Sequence, residues 1–481
     1  MTHRGSRVLH VGSLTRVEGE GALHLDVHGG TVTEARLRIY EPPRFFEAFL
    51  RGRAHTEPPD ITARVCGICP VAYQLSACAA VEDACRVTVD PRIAALRRLL
   101  CCGEWIESQT LHIHLLHAPD FLGCDGALEL ARTAPGPVER GLRLKQAGNA
   151  ILELLGGRAV HPVNVRLGGF HRAPAPGELH PLRERLRHAL DDARQTVEWV
   201  SAFDFPDATT DADLFALAAP GTYAIESGTP AVLRADPTGR TRDAYPPTTY
   251  TFPLHTFLDR VREEHLPHST ALYSTLDGRR HLTGSLARYA ISGRWLTRTA
   301  RDAARAAGLG DPWEGTACRN PYRSILVRAV EVVYAVTEAL RLIETYEPPA
   351  RPYTGVPPAA GTGHGATEAP RGLLYHRYAL DADGTVTDAR IVPPTAQNQG
   401  AIEDDLRRAA QAALDAGAPD DAELAALCER AIRNHDPCIS CSVHFLDLTV
   451  ARTHPLDPPS ADPRPADTDP GGPPCPVPRT S

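Results

Sequence analysis

Lysine and methionine are almost missing from this chain: Lys145 is the single lysine among 51 basic residues, and Met1 is the single methionine. The bias runs toward arginine, alanine and proline and carries no mechanism of its own. Also missing is any apolar run near the roughly 18 residues that a membrane span needs, and Met1 to Leu9 holds no hydrophobic signal core. No membrane span and a cytoplasmic location are therefore expected. A net charge of -8 leaves no basic surface for nucleic acid or anionic lipid. There is no internal repeat, and the 12 cysteines are too sparse for a secreted disulfide scaffold.

What the chain does have is a Cys-x-x-Cys pair toward each end, Cys66 with Cys69 and Cys438 with Cys441. Each pair offers two sulfurs about one turn apart, the spacing by which two thiolates grip one soft metal ion. A zinc ribbon keeps its pairs roughly 15 to 20 residues apart, so that a small local unit can close around the ion. Here nearly the whole chain intervenes. A thioredoxin-like pair needs a βαβ pattern, which the sequence around Cys66 lacks. A cage drawing on both pairs would have to be assembled by the completed fold, which is the layout of a buried catalytic metal site. Of the other cysteines, Cys78, Cys85, Cys101, Cys102, Cys124, Cys318 and Cys428 lie in apolar or helical surroundings and read as small buried hydrophobes, while Cys475 lies in a polar tail.

Alternating apolar residues from Ala22 to Ile39 about His28-Gly29-Gly30 predict a β-hairpin, and a second is predicted from Leu374–Leu380 and Val386–Val392 through an Asp-Gly turn. Helices are expected from Asp90-Pro91 to about His117, stopped by Pro119, and from Val138 to Leu155, ended by Gly156-Gly157. Others are expected over Pro181–Phe203, Leu296–Ala307, Asn320–Tyr346, Asp404–Ala416 and Asp421–Asn434, the longest of them crossing the core. Glu347 to Gly365, rich in proline and glycine, reads as a long loop, and the chain after Val450 as disordered.

The strings Arg64-Val65-Cys66-Gly67-Ile68-Cys69 and Asp436-Pro437-Cys438-Ile439-Ser440-Cys441-Ser442-Val443-His444 closely resemble the two signature motifs of nickel-iron hydrogenase large subunits. The resemblance extends through Thr15–Gly19, Phe46-Glu47, Leu116–Asp120, His161–Asn164, Glu368–Gly372 and Pro394–Gln399, so it covers about residues 10 to 448. The flanking sequences look most like the cytosolic NAD(P)-linked or sulfhydrogenase-type branch. The family implies an α+β fold, predominantly α-helical, as a helical bundle with small peripheral β-sheets. Residues 1–450 would form a single large-subunit domain, and 451–481 a Pro-rich disordered extension.

On this resemblance Cys66 and Cys438 are terminal thiolates on nickel, and Cys69 and Cys441 bridge nickel to an iron carrying cyanide and carbon monoxide. The implied reaction is reversible heterolytic cleavage of dihydrogen, with Cys438 taking the proton and Glu18 relaying it. Arg371 would lie over the metals as a permanent charge, paired with or oriented by Asp120 and Asp436. Pro370, Pro394 and Thr395 would cradle the cofactor, the threonine hydroxyl donating to cyanide. Glu47, His444 and the main-chain carbonyl of Gln399 would hold magnesium or another divalent ion. Gln109, next to Ser108, stands where relatives often have histidine.

With no ferredoxin-like Cys-x-x-Cys-x-x-Cys spacing here, electrons need an iron-sulfur small subunit, with flavin (FAD) and NAD(P) diaphorase subunits beyond it. A maturation endopeptidase and nickel-insertion factors are implied as well, with cleavage expected near His444. The alternative reading is a dihydrogen-sensing or catalytically silent electron-transfer scaffold, which the four intact cysteines oppose.

Overall fold

Helix Ser324–Glu344 occupies the centre, buried at every residue from Ser324 to Val336, a stretch that is apolar apart from Ser324, Arg328 and Glu331, with Asn320 capping the 3-10 turn Pro321–Arg323 before it through Tyr322 N at 2.9 Å. The computed structural model describes residues 7–235, 249–311, 318–417 and 419–443. Helices Leu179–Ser201 and Pro91–Leu111 pack on the central one, and Pro135–Gly156 packs on Pro91–Leu111. That last contact is close because Gly103 and Gly148 meet: a Cβ on Gly148 would stand 2.6 Å from the Glu107 amide nitrogen. Helices thus make the body of an α+β fold, as expected, and the described residues belong to one compact unit. Among them no helix is long and apolar enough to cross a membrane.

Pro119 does not stop the helix that begins at Asp90. The α-helix ends at Leu111, a π-helical turn follows over His112–His117, and a new helix Ala118–Leu122 starts with Pro119 in its first turn. A proline there gives up only an N–H that has no partner within a helix. Helix Pro394–Ala416 also starts well before the expected Asp404, because its first ten or so residues are buried on all sides and show no amphipathic period. Helix Pro70–Ala84, which the sequence reading did not foresee, escaped for the same reason.

Both hairpins form, and each gains a third strand. Arg7–Val11 pairs with Gly21–His28, and Gly361–Ala369 pairs with Gly372–Leu380. The latter strand lies partly where a loop was expected. Its glycines 361, 363 and 365 alternate along the strand and press directly on helix Pro70–Ala84, where a Cβ on Gly363 would lie 2.0 Å from the Ala80 carbonyl oxygen and one on Gly365 2.2 Å from that of Ser76. Glycine here is a packing requirement and not a turn signal. A four-stranded sheet, in the order His281–Leu282, Asp213–Ala218, Thr229–Leu233, Thr249–Thr251, was not anticipated.

Cys78, Cys101, Cys102, Cys318 and Cys428 are buried as expected, whereas Cys85 and Cys124 are only half-buried. His444, Cys475 and the tail after Val450 lie outside the described residues.

Candidate metal and proton-transfer site

Cys69 is the N-cap of helix Pro70–Ala84, so its sulfur is placed by that helix. The free N–H groups of the helix are met by Glu104, reaching across from helix Pro91–Leu111: its carboxylate accepts from Val71 N at 2.7 Å and Ala72 N at 3.1 Å. At the other end of the chain, helix Asp421–Arg433 delivers the backbone to Asp436, which takes a left-handed φ of 50° before the short helix Ile439–Ser442. There Cys438 N donates to Thr395 Oγ1 at 3.0 Å, Ile439 N to the Glu18 carbonyl at 2.9 Å, and Tyr73 OH to the Cys441 carbonyl at 3.3 Å.

The two pairs converge. Cys66 Sγ lies 3.5 Å from Cys438 Sγ, Cys69 Sγ 3.4 Å from Cys441 Sγ, and all four sulfurs lie within 4.8 Å of one another. All four cysteines are buried. Burial pushes the thiols of Cys438 and Cys441 up, while hydrogen bonds from Cys438, Cys441 and Cys69 hold Cys66 well down. Four such groups cannot ionise together without compensating positive charge. Soft divalent ions supply it, so the donor set fits a nickel and iron pair.

Arg371 occupies the two-residue turn between strands Gly361–Ala369 and Gly372–Leu380, followed by Gly372 at φ 136°. Buried at 3% exposure, it donates from Nη2 to Asp436 Oδ1 at 3.2 Å, from Nε to the Asp436 carbonyl at 3.1 Å and from Nη1 to Ser108 Oγ at 3.2 Å. Burial raises the carboxyl of Asp436, opposed by Arg371 and Arg328. Asp436 thus meets the arginine as expected.

Asp120 does not. It binds Arg433 at 2.8 and 2.9 Å and Arg16 at 2.6 Å, because it follows the π-helical turn on helix Ala118–Leu122 and faces the end of helix Asp421–Arg433. Ser108 is the residue on the other side of Arg371. The available signal was its position one turn beyond Glu104, on the same face of helix Pro91–Leu111.

Glu18 stands against the second cysteine pair. Cys438 Sγ donates to Glu18 Oε2 at 3.0 Å, and the same oxygen accepts from Ser440 N at 3.1 Å. The approach depends on Gly19, at φ 91°, where a Cβ would sit 2.7 Å from Ile439 Cβ. Ser440 Oγ in turn donates to Glu41 Oε2 at 2.9 Å, so a second half-buried carboxylate, missed in the sequence, lies beyond Glu18.

Thr395 accepts from Cys438 N and keeps its own hydroxyl proton to donate elsewhere, while Pro394 opens its helix and Pro370 precedes Arg371 in the turn. Glu47 is buried, accepts from Ile391 N at 2.7 Å, and has its carboxyl pushed up to about 7 by burial. Glu263, also unforeseen, faces it and is pushed up to about 8, by burial first and then by Glu47. The buried Gln399 turns its side chain to Ser269 Oγ, 3.2 Å away. The third member of the expected divalent site, His444, lies outside the described residues.

Fold and site together define a metal-dependent redox catalyst whose centre is closed by both ends of one chain. The nickel-dependent hydrogenase family matches residues 44–135 and 316–444, the stretches that hold the two cysteine pairs. Sulfhydrogenase 1 subunit alpha of Pyrococcus furiosus is 33% identical over 444 residues, covering 90% of this chain and 97% of that protein. NAD-reducing hydrogenase HoxS subunit beta of Cupriavidus necator is 26% identical over 473 residues, covering 92% of this chain and 95% of its own. Among solved structures, an NAD+-reducing NiFe-hydrogenase in the H2-reduced state superposes with a TM-score of 0.81 at 26% identity, covering 91% of this chain and 99% of that one. The chain belongs to the nickel-dependent hydrogenase family, as a catalytic large subunit. Its four-cysteine cluster fits the family's nickel and iron, the iron with cyanide and carbon monoxide.

Proposed function

We propose that this subunit cleaves dihydrogen reversibly at the cluster of Cys66, Cys69, Cys438 and Cys441, and that Cys438 and Glu18 carry the proton away. The observation behind this reading is the 3.0 Å hydrogen bond from Cys438 Sγ to Glu18 Oε2. Cys66 and Cys438 would hold nickel terminally, and Cys69 and Cys441 would share it with iron. When bound, that group supplies the soft electrophilic centre that polarises dihydrogen and takes its electron pair.

The chain's own residues do the rest. Cys438 Sγ accepts the two protons of dihydrogen one after the other and passes each to Glu18 Oε2, while Ser440, donating to Glu18 through its N–H and to Glu41 through its hydroxyl, holds the two carboxylates near each other. Arg371 holds a permanent positive charge facing Cys438, Cys69 and Cys66, which balances the ionised sulfurs. Asp436 and Ser108 orient it. Thr395 and Pro394 would line the side of the iron ligands.

Glu18→Gln keeps the size and the acceptor oxygen but cannot carry the proton. It is expected to load both metals normally and to lose about 10²- to 10⁴-fold in turnover and in hydrogen–deuterium exchange. Unchanged exchange would remove Glu18 as the main relay.

The electrons pass to an iron-sulfur small subunit and, through flavin-bearing diaphorase subunits, to NAD(P) in the cytoplasm. The names of relatives that reduce NAD support this route. Glu47, His444 and the Gln399 carbonyl would take up magnesium or another divalent ion beside the C-terminal motif. Nickel-insertion factors and then an endopeptidase would act on the precursor, cutting after His444. Intact mass of active, metal-loaded subunit is expected to end at His444, and retention of Ser481 in that species removes the cleavage.

A further inference from the structure

Arg371 is carried on a tight turn, and a tight turn alone leaves a long side chain free to swing. The turn is gripped from beneath. Arg288, fully buried, donates from Nη1 to the Ala369 carbonyl and from Nη2 to the Pro370 carbonyl, both at 2.9 Å. These are the two residues immediately before Arg371. The same guanidinium is fixed in its plane by Glu331, with Nε to Oε1 at 2.7 Å and Nη2 to Oε2 at 2.8 Å, and by Glu368 Oε2 at 3.3 Å from Nη1. It also lies over the Trp105 ring, 4.5 Å from the centroid, and Trp105 Nε1 donates to the Glu368 carbonyl at 2.9 Å.

Glu331 takes a further bond from Gln109 Nε2 at 2.8 Å, and Gln109 is the neighbour of Ser108, which touches Arg371 Nη1. The contacts therefore close a ring: Arg371, Ser108, Gln109, Glu331, Arg288, Pro370 and back to Arg371. Gly284, whose Cβ would fall 2.9 Å from the Arg371 carbonyl oxygen, lets the N-terminus of the Arg288 helix come this near.

We propose that Arg288 is the positioning residue for Arg371, holding the turn in the one setting that aims the Arg371 guanidinium at the sulfurs. This rests on the reading of Arg371 given above. A planar fork is needed because two carbonyls and two carboxylates are served at once, and a lysine ammonium cannot reach all four in their fixed directions.

The test uses the holoenzyme with its iron-sulfur partner. Arg288→Lys is expected to keep nickel, iron and the infrared bands of carbon monoxide and cyanide, and to lower kcat about 10- to 100-fold, with KM for dihydrogen nearly unchanged. Because Arg288 works through Arg371, adding Arg288→Lys to Arg371→Lys is expected to lower kcat little further. Gln109→Leu, which cuts the ring without removing a charge, is expected to give a smaller loss with the same non-additivity, and it carries the test alone if Arg288→Lys does not fold. Losses that multiply in the Arg371→Lys background overturn the proposal. An Arg371→Lys enzyme with full activity overturns instead the role given to Arg371 itself.

Discussion

Cys441→Ala abolishes dihydrogen turnover and empties the site. Cys441 Sγ lies 3.4 Å from Cys69 Sγ and 2.9 Å from Cys438 Sγ, so it faces both pairs and its loss opens the cage on the side where the two metals would share sulfur. Nickel and iron are expected to fall to background, and the infrared bands of carbon monoxide and cyanide to vanish. Activity should drop by far more than the roughly 10- to 100-fold that follows removal of a residue behind a metal ligand. The fold should persist. The substitution removes one sulfur atom and leaves the backbone bond from Cys441 N to the Cys438 carbonyl at 3.2 Å and the bonds of Ser440 and Ser442 in place, a loss of about 1 kcal/mol in stability. Metal analysis, infrared spectra, a turnover assay and a thermal melt on one preparation check all four. Full metal content with activity above background would show that the cluster is not where the cofactor sits.

Arg371→Lys loses about 10²- to 10³-fold in kcat with both metals retained, since one oriented charge is removed from the reacting centre while the net charge stays. Arg371→Leu does something different. Asp436, buried, loses the guanidinium bonded at 3.2 Å and keeps only the charge of Arg328 farther off, and breaking such a buried pair destabilises by about 3 to 5 kcal/mol.

The sign of the pH effect follows from burial, which already raises the Asp436 carboxyl even with Arg371 in place. A folded-state value above the unfolded one favours the protonated acid in the fold, so its contribution is present at low pH and disappears as pH rises through that raised value. The Arg371→Leu deficit is therefore smallest in acid and grows toward neutrality. Urea midpoints at several pH values check this, and a deficit independent of pH contradicts it. Adding Asp436→Leu should recover stability but no activity.

The cysteine pairs were legible in the sequence because metal ligation is written locally: two thiols one turn apart keep that spacing in any fold. The long helices were legible where one face meets solvent, as in Leu179–Ser201, whose buried residues recur at helical intervals. Helix Pro70–Ala84 and the start of Pro394–Ala416 were hidden because burial on all sides erases the period. The strand Gly361–Ala369 was hidden because residues chosen to admit a helix at close range look, in one dimension, like a flexible loop.

By itself, then, the sequence determined the chemistry: four soft ligands in two pairs, a glutamate and an arginine in matched motifs, and the family to which they belong. Tertiary structure alone decided who stands next to whom. It gave Arg371 to Asp436 and Ser108 and sent Asp120 to Arg16 and Arg433, since a π-helical turn between Leu111 and Ala118 redirects everything after it. It also set Arg288, Glu331 and Glu368 beneath the turn. Ligand identity follows from side-chain type and local spacing, whereas orientation depends on contacts between segments far apart in the chain, and these exist only once the core has closed.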